Sequence, residues 1–209
     1  MATSLAWSLP VPPWTAFAMT ETSARLLTEL DEAALIDACV AGEPGAFDLI
    51  VERYRRSIYN LCYRFAGNHE DASDLSQDVF LRAFRGLKNF RGQSSIATWL
   101  YRIGVNACLN RVSAKAPLDQ AREAIEDQQL VDVRNDSPAD RVLKRERDAR
   151  VRAAIGQLPE KQRATLILRT YHEMSHQEIA EVLGSSVGAV KANFFHALGN
   201  LKKLLGDEI

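Results

Sequence analysis

Residues 90–112, FRGQSSIATWLYRIGVNACLNRV, decide the fold of this chain. A turn at Gly92 is followed by Ser94 and Ser95, and serine hydroxyls accept hydrogen bonds from the free N–H groups at a helix start. Beyond them the apolar residues recur at three- and four-residue intervals, namely at Ile96, Trp99, Leu100, Ile103 and Ala107. This spacing predicts an amphipathic helix with one buried face.

A second, polar stripe runs along the same predicted helix. Arg102, Asn106 and Asn110 recur at every fourth residue and therefore share a face. A guanidinium and two amides can hydrogen-bond phosphates and base edges. Taken alone, the stripe is more consistent with a solvated helix face, so the rest of the chain must decide its role.

Charge is segregated along the chain. The whole sequence has a net charge of -1, but residues 1–50 carry a net of -6, residues 51–114 +5, residues 115–140 -4 and residues 141–209 +4. Two basic blocks separated by an acidic one indicate two domains that face polyanions, joined by a tether.

The three cysteines, Cys39, Cys62 and Cys108, lie far apart inside apolar helical patterns, and no CxxC pair occurs. This usage favours core packing in a reducing cytoplasm, with a reactive redox thiol as the alternative. The sequence indicates no cofactor.

The first eighteen residues are apolar, but three prolines, Pro10, Pro12 and Pro13, interrupt them and no Lys or Arg precedes them. A secretory signal needs a positive start and an unbroken apolar core. We predict a disordered extension over residues 1–27, with a docking peptide built on Trp7 and Trp14 as the alternative. No other stretch reaches the roughly eighteen apolar residues of a membrane span, which predicts no membrane insertion.

Helical spacing continues through most of the remaining chain. Helices are predicted over residues 31–41, 44–67 and 69–88, and together with the first stretch they can enclose one core. The apolar spacing fails from 115 to 137, where acidic residues and prolines predict a flexible linker. Strand-like alternation is not evident. The predicted fold class is all-α, with two small helical domains over residues 28–114 and 138–209.

A helix-turn-helix is predicted near the C-terminus. After helices from Pro138 to about 157 and from 158 to about 171, Ser175 and Glu178 form a capping box. Gly184 then ends a short helix in a left-handed conformation, and Ser186 caps a longer one. A short helix, a glycine turn and a longer helix place the second helix in the DNA major groove, although similar helix pairs occur without DNA.

Residues 172–176, HEMSH, match the zinc-protease pattern H-E-x-x-H. That chemistry requires both histidines on one continuous helix. Since Ser175 is predicted to cap the next helix, a boundary separates His172 from His176, and we predict no metal site. A phosphate-binding glycine loop and a nucleophile–base pair are also not evident, so no enzyme activity is expected.

Four stretches, taken in order, resemble the extracytoplasmic-function (ECF) class of bacterial RNA polymerase sigma factors in the sigma-70 family. They are GEPGAFDLIVERYRRSIYNLCYR, DASDLSQDVFLRAFRGLKNFRG, TWLYRIGVNACLNR and LPEKQRATLILRTYHEMSHQEIAEVLGSSVGAVKANFFHAL. The resemblance covers about residues 28–205. It implies that the first domain is sigma-70 region 2 and the second, with the helix-turn-helix, region 4.

The resemblance implies three kinds of partner. Region 2 would bind the clamp helices of the polymerase β′ subunit and open the promoter minus-ten element, and the factor would also contact the β subunit. Region 4 would bind the minus-thirty-five element of promoter DNA. An anti-sigma factor would hold the protein inactive, and its place of action would be the cytoplasm.

The matched positions suggest site residues. The polymerase-binding helix matches at Asp74, Gln77, Asp78 and Phe80. Phe80 and Leu81 beside the predicted core row leave more apolar surface than one helix side needs, which favours a partner there.

The DNA-binding positions divide between the two domains. On the first, Asn106 and Asn110, with Arg102 beside them, match the pocket for an extruded minus-ten base. On the second, the recognition helix offers Ser186, Lys191, Asn193 and His196.

The recognition helix departs from the family pattern, because Ala192, Asn193 and His196 stand where Ser or Arg is usual. Fewer guanidinium groups predict weaker or altered minus-thirty-five recognition. A stand-alone helix-turn-helix regulator is the alternative function, although it would need neither the 71–88 helix nor the asparagine stripe.

Overall fold

A computed structural model describes residues 31–90, 92–115 and 138–206, with backbone only for 112–115 and 138–145. Within these ranges the chain forms eight α-helices and no strand, which confirms the all-α prediction. The helices are α1 (Glu32–Ala41), α2 (Ala46–Ala66), α3 (His69–Gly86), α4 (Ile96–Lys115), α5 (Pro138–Gly156), α6 (Glu160–Tyr171), α7 (His176–Leu183) and α8 (Val187–Leu205). A short 3-10 helix, Leu87–Asn89, follows α3. The predicted N-terminal extension and linker lie outside the described residues.

Helices α1 to α4 form the first module. Its core is built from fully buried aliphatic side chains of α2, α3 and α4, among them Ile58, Leu61, Val79 and Leu100. Helix α4 approaches α2 so closely that a Cβ added at Gly104 would lie 2.8 Å from Leu61 Cδ2. The glycine therefore permits the helix contact that fixes which face of α4 remains outside.

Polar side chains set the helix starts of this module. Ser95 Oγ accepts a hydrogen bond from the Thr98 N–H at 3.1 Å, so Ser95 is the cap of α4. Glu32 on α1 accepts from the Ile96 N–H at 2.9 Å, which places a carboxylate at the positive end of the α4 dipole. Both contacts fix the start and orientation of α4.

Three predicted helix boundaries were wrong by two residues, including the start of α6, which begins at Glu160 rather than at 158. Helix α2 begins at Ala46 rather than at Pro44, because Gly45 precedes it in a left-handed conformation (φ 82°). Helix α3 ends at Gly86 because the next residues tighten into the 3-10 helix. Trp99 packs over Gly86, where an added Cβ would lie 3.3 Å from its ring, and its centroid is 5.1 Å from that of Phe90. These contacts confirm a packing role for Trp99.

Helices α5 to α8 form the second module, around Ile167, Leu168, Ile179 and Val190. The predicted capping box is present, and its hydrogen bonds to Ser175 lower the pKa of Glu178. Gly184 is left-handed (φ 57°) and separates α7 from α8. The predicted helix-turn-helix is therefore confirmed in its elements.

All three cysteines are free thiols in the first module. Cys62 on α2 and Cys108 on α4 are fully buried, and hydrogen bonding to Cys62 together with burial raises the pKa of Cys108. Burial, with the nearby Asp48 and Glu43 carboxylates, raises the pKa of Cys39 to about 11. The thiols of Cys39 and Cys108 are therefore held protonated, which supports the core-packing interpretation.

Across the described ranges, none of the helices combines the length and apolar character needed to cross a membrane.

Candidate nucleic-acid interface

The polar stripe of α4 lies on the outside of the first module. Arg102, Asn106 and Asn110 are all exposed, whereas Leu100 and Cys108 on the opposite side are completely buried. Because α4 is fixed by its packed face, the three polar side chains project from a rigid support. The predicted stripe is confirmed as a surface feature.

One end of this stripe contacts the second module. The Arg102 guanidinium donates a hydrogen bond of 2.8 Å to the Glu181 carbonyl oxygen on α7. Beside it, the Tyr101 hydroxyl and Nδ1 of His172 are 2.9 Å apart, with their ring centroids separated by 5.0 Å. The helix-turn-helix module is thus placed against the face of α4 that carries the candidate minus-ten residues.

A second group of contacts joins α6 to the end of α2. Arg163 donates a hydrogen bond to the Phe65 carbonyl oxygen, one of the carbonyls that the last turn of α2 leaves without a helical partner. The Arg64 guanidinium lies 3.9 Å from the centroid of the Tyr171 ring. A cation at a helix C-terminus and a cation over an aromatic ring are both favourable.

Burial changes the titration of the groups between the modules. Arg163 is only 8% exposed, and desolvation lowers its pKa. Burial, together with the neighbouring Arg64 charge, lowers the pKa of His172 to about 4, while burial raises that of Tyr101. His172 is therefore neutral near pH 7, and its Nδ1 can accept a hydrogen bond from the Tyr101 hydroxyl.

The zinc-protease pattern is divided as predicted. His172 follows the last residue of α6, and His176 is the first residue of α7. Between them Glu173 adopts a left-handed conformation (φ 54°), which turns the chain. Among the residues that the structure describes, no group of three or more His, Cys, Asp or Glu side chains could hold a metal ion.

The recognition helix α8 presents a different surface. Lys191 and His196 are exposed, Asn193 is partly buried, and Ser186 caps the helix by accepting a hydrogen bond from the Ala189 N–H at 3.2 Å. Phe195 is 74% exposed on the same helix. Sequence reasoning missed Phe195, because it adjoins another phenylalanine and only the packing shows which of the two is outside.

The polymerase-binding candidates on α3 lie in two environments. Asp74 and Gln77 are exposed, and Asp78 forms a 2.7 Å ion pair with Arg82. Phe80 is only 8% exposed, so the expectation that it adds apolar surface for a partner was wrong for this residue. The way α3 packs against its neighbours places the Phe80 side chain in the core.

The exposed aromatic of α3 is instead Phe84. It is 55% exposed and packs edge-on against Phe47 at 5.1 Å. Because Phe84 lies four residues beyond Phe80 on the same face of α3, helical spacing alone could not show that one is buried and the other exposed.

Comparisons with known proteins agree with this two-module organisation. Residues 50–117 match the family model for sigma-70 region 2, and residues 148–201 match that for sigma-70 region 4. The chain is 36% identical to the RNA polymerase sigma-H factor of Pseudomonas aeruginosa, over 86% of this chain and 96% of that protein. It is 34% identical to the ECF RNA polymerase sigma factor SigW of Bacillus subtilis, over 79% and 92% of the two chains.

Solved structures show a similar fold. CnrH in complex with the cytosolic domain of CnrY is matched with a TM-score of 0.64 and 26% identity, over 85% of this chain and 99% of that one. The sigma factor RpoE of Bartonella quintana, in complex with the anti-sigma factor NepR, is matched with a TM-score of 0.60 over 79% and 99%. At 18% identity the second match shows the fold alone.

Proposed function

We infer the roles of the two modules from one premise: the chain belongs to the ECF class of RNA polymerase sigma factors in the sigma-70 family. It is an alternative sigma factor, which binds core RNA polymerase and directs it to promoters through the minus-ten and minus-thirty-five elements. Its relatives are sigma factors, which are not enzymes. The observation that carries this conclusion is the alignment with a sigma factor over 86% of the chain.

Helix α4 is proposed to open the minus-ten element. Extruding one base from the duplex costs a few kcal/mol, which contacts to the edge of that base must offset. Asn106 and Asn110 provide exposed amides for that purpose, and Arg102 provides a cation for the adjacent phosphate. The buried face of α4 supports this role because it holds the three side chains in a fixed geometry.

Helix α8 is proposed to bind the minus-thirty-five element in the major groove. Exposed Lys191 and His196 can contact phosphates or base edges, and the Asn193 amide can contact adenine. Ser186 is engaged as a helix cap, so its contribution would be to place the positive end of α8 near a phosphate. The scarcity of arginine on α8 supports a smaller electrostatic contribution than two basic modules would otherwise provide.

The polymerase surface is proposed to lie on α3, at Asp74, Gln77 and Asp78. Phe80 would support this surface from below, since its side chain is buried. An anti-sigma factor is a further proposed partner, and the similarity to CnrH, which was solved in complex with the cytosolic domain of CnrY, supports a regulatory protein partner. A factor that acts on polymerase and promoter DNA would work in the cytoplasm.

The test combines the full chain with sigma-free core polymerase and fragmented genomic DNA of the source organism, followed by sequencing of the transcripts. We expect co-elution with the polymerase at low salt and start sites that share two spaced motifs. No co-elution, together with transcripts identical to those of core polymerase alone, would refute the proposal.

A further inference from the structure

Helix α4, which carries the proposed promoter-opening residues, is tied at both ends to carboxylates of other helices. At its start, Oε1 of Glu32 on α1 accepts a hydrogen bond of 2.9 Å from the Ile96 N–H. Near its end, the Arg111 guanidinium donates a hydrogen bond of 3.0 Å to Oδ1 of Asp71 on α3. These two contacts, called the anchors below, join residues 64 and 40 positions apart, so neither is a local consequence of helix formation.

The Glu32 carboxylate is shared by two helix starts. Glu32 is the first residue of α1, where the Asp31 side chain caps the helix by accepting from the Ala34 N–H at 2.8 Å. Its own side chain reaches the first N–H of α4, and a negative charge is favourable at the start of each helix. The other carboxylate oxygen lies 3.5 Å from the Tyr54 hydroxyl on α2. One side chain therefore fixes the starts of α1 and α4 relative to each other.

The Asp71 carboxylate is also held from two sides. Its Oδ2 accepts a hydrogen bond of 2.8 Å from Nδ2 of Asn68, the cap of α3, while Oδ1 accepts from Arg111. The Asp71 side chain is only 16% exposed, so its end of the ion pair is shielded from solvent. The last part of α4 is thereby fixed to the start of α3.

The polar stripe of Arg102, Asn106 and Asn110 lies between the two anchors. Ile96 precedes Arg102 on α4, and Arg111 directly follows Asn110. The stripe extends about 12 Å along the helix axis. Side chains that must meet one extruded base need a fixed geometry, which hydrogen bonds from supporting residues provide. Anchors at both ends fix the position of the stripe along the helix axis and its rotation about that axis.

We propose that Glu32 and Asp71 are positioning residues for promoter opening, which act through α4 without touching DNA. The proposal rests on the proposed function, since the anchors matter for opening only if the stripe receives the extruded base. The apolar core keeps α4 in the fold, whereas the anchors set where the stripe stands when a base is presented. Loss of an anchor should therefore reduce strand opening more than it reduces folding or polymerase binding.

The first test compares Glu32→Ala with Glu32→Gln in holoenzyme assembled from the full chain and core polymerase. Alanine removes the acceptor for the Ile96 N–H, whereas glutamine retains an oxygen acceptor without the charge. On a duplex promoter found by transcript sequencing, Glu32→Ala should slow opening about fivefold, as measured by permanganate footprinting. Glu32→Gln should slow it only about twofold, because only the charge at the helix start is lost.

The matched control is Asp37→Ala, which removes an exposed acidic side chain from the same helix α1. This variant should open the promoter at the wild-type rate. An opening rate of folded Glu32→Ala equal to that of the wild type would overturn the proposal. Equal slowing by alanine and glutamine at Glu32, or by Asp37→Ala, would overturn it as well.

A promoter whose minus-ten segment is already unpaired separates positioning from stability. This template carries mismatched bases, so no base has to be extruded from a duplex. Glu32→Ala should therefore transcribe it at the wild-type rate despite slow opening of the duplex promoter. A defect of the same size on both templates would assign the effect to folding or polymerase binding and would overturn the proposal.

A second variant guards against a Glu32→Ala chain that fails to fold. Asp71→Ala removes the acceptor for Arg111 but leaves the Asn68 cap, which accepts from the backbone N–H of residue 71. It should slow opening of the duplex promoter about twofold, a smaller effect because the Arg111 side chain is 46% exposed. A folded Asp71→Ala chain that opens the duplex at the wild-type rate would likewise overturn the proposal.

Transcription by the wild type separates this proposal from the proposed function. If wild-type holoenzyme gives no promoter-dependent transcripts from either template, the sigma function is overturned and the positioning role falls with it. If the wild type opens the promoter and folded Glu32→Ala opens it equally fast, only the positioning role is overturned.

Discussion

Helices α4 and α8 both carry candidate DNA contacts, but their surroundings differ. Helix α4 is packed on one side against α2 and α3, and at Tyr101 and Arg102 it contacts the other module. Helix α8 presents Lys191 and Phe195 to solvent. With the modules packed together, the candidate DNA surface of α8 is exposed, whereas that of α4 is partly covered by the other module.

This difference suggests an order of events during promoter binding. The proposed minus-thirty-five surface can approach duplex DNA without rearrangement, whereas Arg102 becomes available only when α7 moves away from α4. Recognition of duplex DNA and opening of the strands would then be separate steps. The following predictions test this contrast, beginning with the largest expected effect.

Removing the amides from α4 should have the largest effect. Replacing Asn106 and Asn110 by Ala removes two proposed base contacts, each worth about 1–3 kcal/mol of discrimination, so promoter opening should fall about 100-fold or more. Permanganate footprinting of the opened strands and run-off transcription measure this loss, with core-polymerase binding unchanged. Asn60→Ala, an exposed asparagine on α2, is the control, and an equal loss there would contradict the assignment.

Acidification should weaken the contact between the two modules. The pKa of His172 is lowered to about 4 while the modules are packed together, and it would return to about 6.5 once they separate. Above about pH 6.5 His172 is neutral in both arrangements and does not disfavour the packing of the modules, whereas below pH 6.5 protonation of the exposed imidazole increasingly favours their separation, down to about pH 4. We expect the ratio of separated to packed modules at pH 5 to be roughly 25-fold higher than at pH 7.5, as measured by small-angle X-ray scattering.

The groups that face His172 are Arg64 of α2 and Tyr101 of α4, and burial moves the pKa of Tyr101 further above this pH range. His172→Asn retains a hydrogen-bond acceptor but cannot gain a proton in this range. Its size should change less with pH. A pH response equal to that of the wild type would assign the effect to other groups.

Lys191→Ala tests the open surface of α8. Loss of one phosphate contact should weaken binding to the minus-thirty-five duplex about fivefold and reduce the slope of log affinity against log salt by about one. Fluorescence anisotropy across a salt series measures both quantities. Lys203→Ala, in the last turn of the same helix, should leave both nearly unchanged, and equal effects would indicate nonspecific attraction.

The smallest expected effects are those of alanine substitutions at two helical glycines on the free energy of unfolding. At Gly104 on α4 an added Cβ would lie 2.8 Å from buried Leu61, whereas at Gly199 on α8 it would meet nothing within 4 Å. Gly104→Ala should lower the free energy of unfolding by about 1 kcal/mol, because overpacking outweighs the gain in helix propensity. Gly199→Ala should raise it by about 0.5–1 kcal/mol.

Urea denaturation followed by circular dichroism measures both changes. A stabilising effect of both substitutions would show that α4 is less tightly packed than its contacts imply.

Local patterns predicted most of the helices. The Ser175–Glu178 capping box and Gly184 are short-range signals, and α7 and α8 begin and end where these residues indicate. The start of α2 was missed because Gly45 takes a left-handed conformation, which the preceding proline does not reveal. Local chemistry therefore determines helix ends well when a side chain supplies the cap.

The candidate site was less predictable, because it depends on contacts between residues distant in the chain. The stripe of Arg102, Asn106 and Asn110 follows from helical spacing, but the pairing of Tyr101 with His172 spans 71 positions and leaves no local signal. Phe80 and Phe84 likewise share a face of α3, and only the tertiary packing shows that the first is buried and the second exposed. Spacing locates a face, and tertiary packing decides what covers it.

The distribution of cysteine gives the protein an internal reporter. The three thiols all belong to the first module, and residues 109–209 contain none. Alkylating reagents attack thiolates; Cys62 and Cys108 are shielded from solvent, burial raises the pKa of Cys39, and hydrogen bonding to Cys62 together with burial raises the pKa of Cys108. Pulsed alkylation followed by mass spectrometry would therefore measure the rate at which the first module unfolds. The measurement needs no fluorophore or mutation, and it works even while the helix-turn-helix module stays folded.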